Sequence, residues 1–96
     1  MTYSLYRTSD GAGDSGGMSL ALWVNRDEEN GYGHEDNAEP RVGVIMRVGS
    51  TYARSYQEQD WWQTTPITEI LETRETPDGK YIRFKTGNSE YEWKAF

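Results

Sequence analysis

Asp27, Glu28, Glu29, His34, Glu35 and Asp36 crowd into one short stretch, and among these residues a ligand set for a cation is the first chemistry to test. A calcium loop needs oxygen donors at alternate positions and a bidentate glutamate at a fixed offset, a spacing this run does not reproduce. Catalytic zinc takes three protein ligands of suitable geometry, and His34 is the single histidine of the chain. The run therefore reads as a solvated acidic loop over residues 26–40, with no metal and no cofactor. Its charge can still act at a distance. Asp27, Glu28, Glu29, Glu35 and Asp36 are candidate partner-binding residues, able to imitate phosphate spacing or to dock on a basic groove.

Gly13-Asp14-Ser15-Gly16-Gly17 spells the string found around a protease serine nucleophile. That chemistry needs a histidine base oriented by a buried aspartate, and an oxyanion hole beside the serine. Proteases of this kind place their histidine before the serine, whereas His34 follows it in a charged stretch. The glycine-rich segment also matches neither GxGxxG nor GxxxxGK[ST]. Sixteen acids offer many carboxylate pairs, with nothing to single out one for glycoside hydrolysis. The sequence predicts no enzyme and no catalytic residue.

Trp61-Trp62 is the second binding signal. Adjacent residues of an extended strand point to opposite faces, so the two indoles cannot both enter one core. One of them is expected to face outward, where aromatic side chains anchor interfaces.

The elements that must carry these residues are short. Ninety-six residues make one domain, with loops at 8–17 and 26–40. The mean hydropathy is −0.94, so four Trp, seven Tyr and two Phe must supply much of the buried surface. There is no cysteine, which fits a reducing compartment. There is also no apolar run of the ~18 residues needed to span a membrane. A soluble cytoplasmic protein is the expectation. The net charge of −6 lies wholly in residues 1–40, which hold eight acids and two bases; such a field disfavours nucleic acid and anionic lipid.

The C-terminal third reads most clearly. Residues 80–86 and 89–94 alternate with period two around Gly87-Asn88, which suits a primed hairpin turn. Folding there sets Phe84 opposite Tyr91 and Ile82 opposite Trp93 on one face. Lys85 then meets Glu90 and Arg83 meets Glu92 on the other. Further strands are expected at 2–7, 18–24 (with Met18, Leu20, Leu22 and Val24 on one face), 41–48 and 51–56. Over 66–74 a strand is favoured, because Thr76-Pro77-Asp78-Gly79 is turn chemistry leading into 80–86. A short helix is the alternative, on the spacing of Ile67, Ile70 and Leu71. The fold class predicted is mostly β: a single small antiparallel sheet of six or seven short strands, closing into a barrel or sandwich.

Trp61-Trp62, then Thr64-Thr65-Pro66-Ile67, then Phe84-Lys85-Thr86-Gly87-Asn88-Ser89-Glu90-Tyr91-Glu92-Trp93, together resemble a pattern in short proteins of phages and mobile elements. There a T-[ST]-P-[VI] strand start precedes F-x-T-x-N-S-x-Y-x-[WL]. The resemblance covers about a third of the chain and brings no catalytic residue. What it implies is a phage inhibitor of a host defence protein, similar to anti-CRISPR proteins, acting by occupying a basic surface of a nucleic-acid-handling complex. The alternatives are a phage assembly factor that self-associates through an open edge at 41–48, and a small-ligand binder using a barrel mouth.

Overall fold

In the computed structural model, which describes residues 1–24, 31–50 and 61–96, the C-terminal hairpin has the register its alternation dictates. Strand β8 (Gly79–Thr86) pairs with β9 (Glu90–Ala95), with Ile82 opposite Trp93, Arg83 opposite Glu92, Phe84 opposite Tyr91 and Lys85 opposite Glu90. The turn differs from the primed type expected. Neither Gly87 nor Asn88 takes a positive φ. The Thr86 N–H instead donates to the Ser89 carbonyl at 2.8 Å, and the Thr86 hydroxyl accepts the Ser89 N–H at 3.2 Å. The threonine side chain thus does part of the work of a left-handed backbone.

Strand β7 (Ile67–Thr76) precedes β8 through the Pro77-Asp78 turn, so residues 66–74 hold no helix. The helix-like spacing has another cause. The β7–β8 register shifts between Ile67 and Glu69 and again between Ile70 and Glu72. A bulge adds one residue to one strand, which lets Ile67 and Ile70, three apart, face the same core. At the turn only glycine fits position 79, where a Cβ would collide with the Ala95 carbonyl.

Strand β1 (Tyr3–Arg7) lies on the far side of β9, and β2 (Gly13–Gly16) pairs with β1. The five-stranded order is β2-β1-β9-β8-β7. A stretch expected to be loop therefore contributes an edge strand. Gly11, at φ 72°, makes the tight return possible, and its N–H bonds the Arg7 carbonyl at 2.8 Å.

The second sheet has the order β4-β3-β5-β6, built from β3 (Met18–Val24), β4 (Tyr32–Asp36), β5 (Ile45–Gly49) and β6 (Trp61–Gln63). Part of the expected 26–40 loop is thus strand β4. The expected strand at 51–56 lies outside the described residues. Strand β5 is flanked by β3 and β6, both antiparallel. It therefore has a neighbour on each side, and is not the open edge strand expected at 41–48.

The two sheets pack over one core of Tyr3, Leu5, Ala21, Met46, Val48, Ile82, Phe84, Tyr91 and Trp93, among others. Trp93 is 1% exposed, and its indole N–H donates to the buried Ser19 hydroxyl at 3.0 Å. Ser19 in turn donates to the Ala38 carbonyl at 2.9 Å. So large a ring demands small residues opposite, and β3 supplies Ser19 and Ala21. The face of β3 turned inward is therefore the one opposite to its aliphatic residues.

The predicted single sheet of six or seven strands, closing on itself, is corrected on these points. Among the described residues there are nine strands in two sheets, no helix, and no sheet that closes into a barrel. The chain passes between sheets at two corners, and both break the ladder. Gly17 separates β2 from β3. Thr64-Thr65-Pro66 separates β6 from β7, and Pro66 has no N–H to donate. Thr64 holds its corner by accepting the Met46 N–H at 3.0 Å through its buried hydroxyl.

Candidate interaction surface

Because Ser19 and Ala21 face the core, the alternation of β3 turns Met18, Leu20 and Leu22 to the outer face of the four-stranded sheet, each half-buried. Strand β5 adds Ile45, opposite Leu22, and Arg47, opposite Leu20. Strand β6 adds Trp61 and Gln63. The Arg47 guanidinium lies 4.0 Å from the Trp61 ring centroid and donates twice to Gln63 Oε1, at 3.0 and 2.6 Å. Stacked and bridged in this way, Arg47 is held flat across the sheet, a contact worth about 0.5–1 kcal/mol at an exposed site. From the edge strand β4, His34 falls in line with Leu22 and Asp36 with Leu20, both exposed. The result is an apolar stripe with one fixed cation and an acidic border.

The predicted site residues divide. Asp36 and Trp61 share this face, on the outermost strands β4 and β6. Trp62 turns to the other side, packs on the core opposite Val48, and donates its indole N–H to Tyr91 Oη at 3.4 Å, with the Arg7 guanidinium 5.4 Å from its ring. The two indoles take opposite faces, as an extended strand requires. Glu35 also turns away from the stripe. Its carboxylate accepts from Arg41 at 2.7 Å, and Arg41 lies 5.2 Å from the Trp23 ring centroid. Gly33 is what lets that indole lie across the edge strand, since a Cβ there would run into it. Glu35 thus closes the sheet edge. Asp27, Glu28 and Glu29 lie outside the described residues.

Sequence reasoning missed Leu20, Leu22, Ile45 and Arg47. The signal available was the alternation of 18–24 itself, which has aliphatic residues on one face and Ser19, Ala21 and Trp23 on the other.

The other chemical candidates are not assembled. Ser15 sits on edge strand β2 of one sheet, opposite Ser4, with its N–H bonded to Asp14 Oδ1 at 2.7 Å; His34 sits on edge strand β4 of the other sheet. Among the described residues no group of three or more His, Asp or Glu side chains is placed to hold a metal ion. No helix there is long and apolar enough to cross a membrane. No protein-family model, curated protein or solved structure matches the chain.

Proposed function

We propose that the chain is a non-catalytic binding protein of the phage-inhibitor type, which covers a basic surface of a host defence protein in the host cytoplasm. The observation that carries this reading is the outer face of the four-stranded sheet. Leu20, Leu22 and Ile45 form an apolar stripe there, with Arg47 beside it, Trp61 stacked under Arg47, and Asp36 on the border. Aliphatic side chains left on an outer face are what a partner would cover. The acids border the stripe in space or flank it in sequence, and they set the sign of the partner: eight acids against two bases in residues 1–40 favour a basic surface. Apolar contact supplies affinity in this arrangement, and charge supplies approach rate. The resemblance of the C-terminal third to phage proteins supports the same reading.

The test is comparative capture from a phage-sensitive bacterial lysate, at low and high salt, read by mass spectrometry. Tagged wild type should retain a basic, nucleic-acid-handling partner that high salt weakens. A Leu20→Glu/Leu22→Glu variant with an unchanged circular-dichroism spectrum should lose it. Equal capture by wild type and variant, or a blank from wild type, would overturn the proposal.

A further inference from the structure

Cross-strand pairing orders the outer face of the five-stranded sheet in rows. One row runs Glu69, Lys85, Glu90, and the next runs Glu72, Arg83, Glu92, so that a base stands between two acids in each. The third row, Arg74, Tyr81, Lys94, begins on a base instead. All three rows stop at β7, which ends the sheet. Among the described residues β7 is the longest edge strand, with ten residues against three to five in β2, β4 and β6. Its register shifts lie between Ile67 and Glu72; the run from Glu72 to Thr76 is regular, and Thr73 to Thr76 are exposed. An open, regular edge is a template for a further strand.

The phase of the backbone fixes which groups are open. The Thr86 N–H donates to the Ser89 carbonyl, so Thr86 turns its peptide groups toward β9. Such groups alternate in direction along a strand, so Phe84, Ile82 and Lys80 also bond β9, while Arg83, Tyr81 and Gly79 bond β7. Thr2 and Phe96, which exchange both backbone bonds at 2.8 Å, give β9 the same phase. The partners of Arg83, Tyr81 and Gly79 are Glu72, Arg74 and Thr76, whose N–H and C=O groups are therefore taken by β8. Thr73 and Glu75 point theirs away from the sheet. Among the described residues only Ile67, at the start of β7, has backbone partners on that side, Gly43 and Val44, both at 2.9 Å.

Charge selects the strand that fits this edge. When β7 pairs antiparallel with a second β7 about Thr73, Glu72 of each copy falls opposite Arg74 of the other. Both contacts join opposite charges, and the row Glu92, Arg83, Glu72 runs on into Arg74 of the second copy with its alternation of sign kept. Moving the centre to Glu72 or to Arg74 sets like charges directly opposite, which destabilises a pair. Within one chain Arg74 meets Glu72 through Nε, at 3.1 Å, and the guanidinium fork has further donors for a second carboxylate.

We propose that the chain forms a twofold homodimer through β7, in which the two Thr73 residues exchange backbone bonds and the two five-stranded sheets become one. The contact uses a sheet edge and stands independently of the outer face of the four-stranded sheet.

The experiment is sedimentation velocity on the full chain from micromolar to millimolar concentration. Wild type should pass from monomer to dimer. Thr73→Pro removes an N–H that faces away from β8, so the variant should stay monomeric yet melt within a few degrees of wild type when both are dilute. Arg74→Glu and Glu72→Arg each set like charges across the junction and should weaken self-association at least tenfold. Mixed in equal amounts, these two variants should form a heterodimer, because both contacts then join opposite charges. A wild type that stays monomeric, or a Thr73→Pro variant that dimerises as wild type does, would overturn the dimer. A mixture no more associated than its components would overturn the register about Thr73.

Discussion

The two outer faces of this molecule are built by the same alternation yet filled in opposite ways. On the five-stranded sheet the core takes Leu5, Ile82, Phe84 and Trp93, and the outer side is a lattice of Glu, Lys and Arg in paired rows. On the four-stranded sheet β3 gives the core Ser19 and Ala21 and keeps Leu20 and Leu22 outside. Volume explains the exchange. Trp93 reaches across from one sheet to Ser19, and close packing leaves little room at positions 19 and 21 of β3, whereas Trp23, next on the same face, is only partly buried. The lesson is that the more apolar face of a strand is not always its buried face.

The largest test of this comparison is the ring that imposes it. Trp93→Ala should cost about 3–5 kcal/mol, the loss typical of a buried aromatic. Differential scanning calorimetry should then show a melting temperature lowered by well over ten degrees, or no folded baseline. A variant melting near wild type would mean that the sheets do not share one core.

Next in size is the small residue facing that ring. Ser19→Ala keeps the volume small but strands the Trp93 indole N–H and the Ala38 carbonyl that Ser19 joins at 3.0 and 2.9 Å. A buried polar group left unpaired costs about 1–3 kcal/mol, readable as a lower urea midpoint at unchanged slope. Wild-type stability would show that size alone, and not the hydroxyl, selects serine at this position.

How much of this was legible beforehand depended on distance along the chain. The β8–β9 hairpin could be read residue by residue, because a two-residue connection couples facing positions and a slip would spoil both faces. The pairing of β1 with β9 joins residues 3–7 to residues 91–95, and no local pattern encodes it. The spacing of Ile67 and Ile70 suited a helix because a bulge adds one residue between two inward-facing positions. Strands β2 and β4 were concealed by glycine and by charge, since an edge strand needs fewer apolar residues than a central one. Of the site, opposite facing of Trp61 and Trp62 followed from strand geometry alone. The outer stripe did not, because Leu20 and Leu22 read as the buried side of β3 until the partner sheet is known.

A smaller effect is expected on the charged face. Arg83→Glu places three acids in one row, with Glu72 and Glu92 on either side. Like charges directly opposite should cost about 0.2–1 kcal/mol for each contact, and the loss should shrink as salt rises. Chemical denaturation by urea at low and high salt would measure it. An equal loss at both would locate the cost in packing of the Arg83 side chain and not in charge.

The smallest effect isolates one exposed ion pair that departs from the loose contacts of the rows. Lys85–Glu69 and Arg83–Glu72 stand 4.0 Å apart, whereas Arg7 meets Asp10 through two bonds, at 2.9 and 2.6 Å. Asp10 also accepts the Ala12 N–H at 3.1 Å, which fixes the turn between β1 and β2. The Arg7 hydrogen bonds, and then the Ala12 N–H, hold the Asp10 carboxyl at about 2. In the unfolded chain an aspartate titrates near ~3.9. A carboxyl whose folded value is the lower one stabilises the fold fully above the unfolded value, and that contribution fades as pH falls toward 2. Wild type should therefore lose stability between about pH 4 and pH 2 faster than Asp10→Asn, and the two curves should run parallel above pH 5. A carbon-detected titration of the Asp10 carboxyl gives the direct answer. A midpoint near 4 would mean that the pair does not hold in solution, and that the β1–β2 turn rests on Gly11 and its backbone bonds alone.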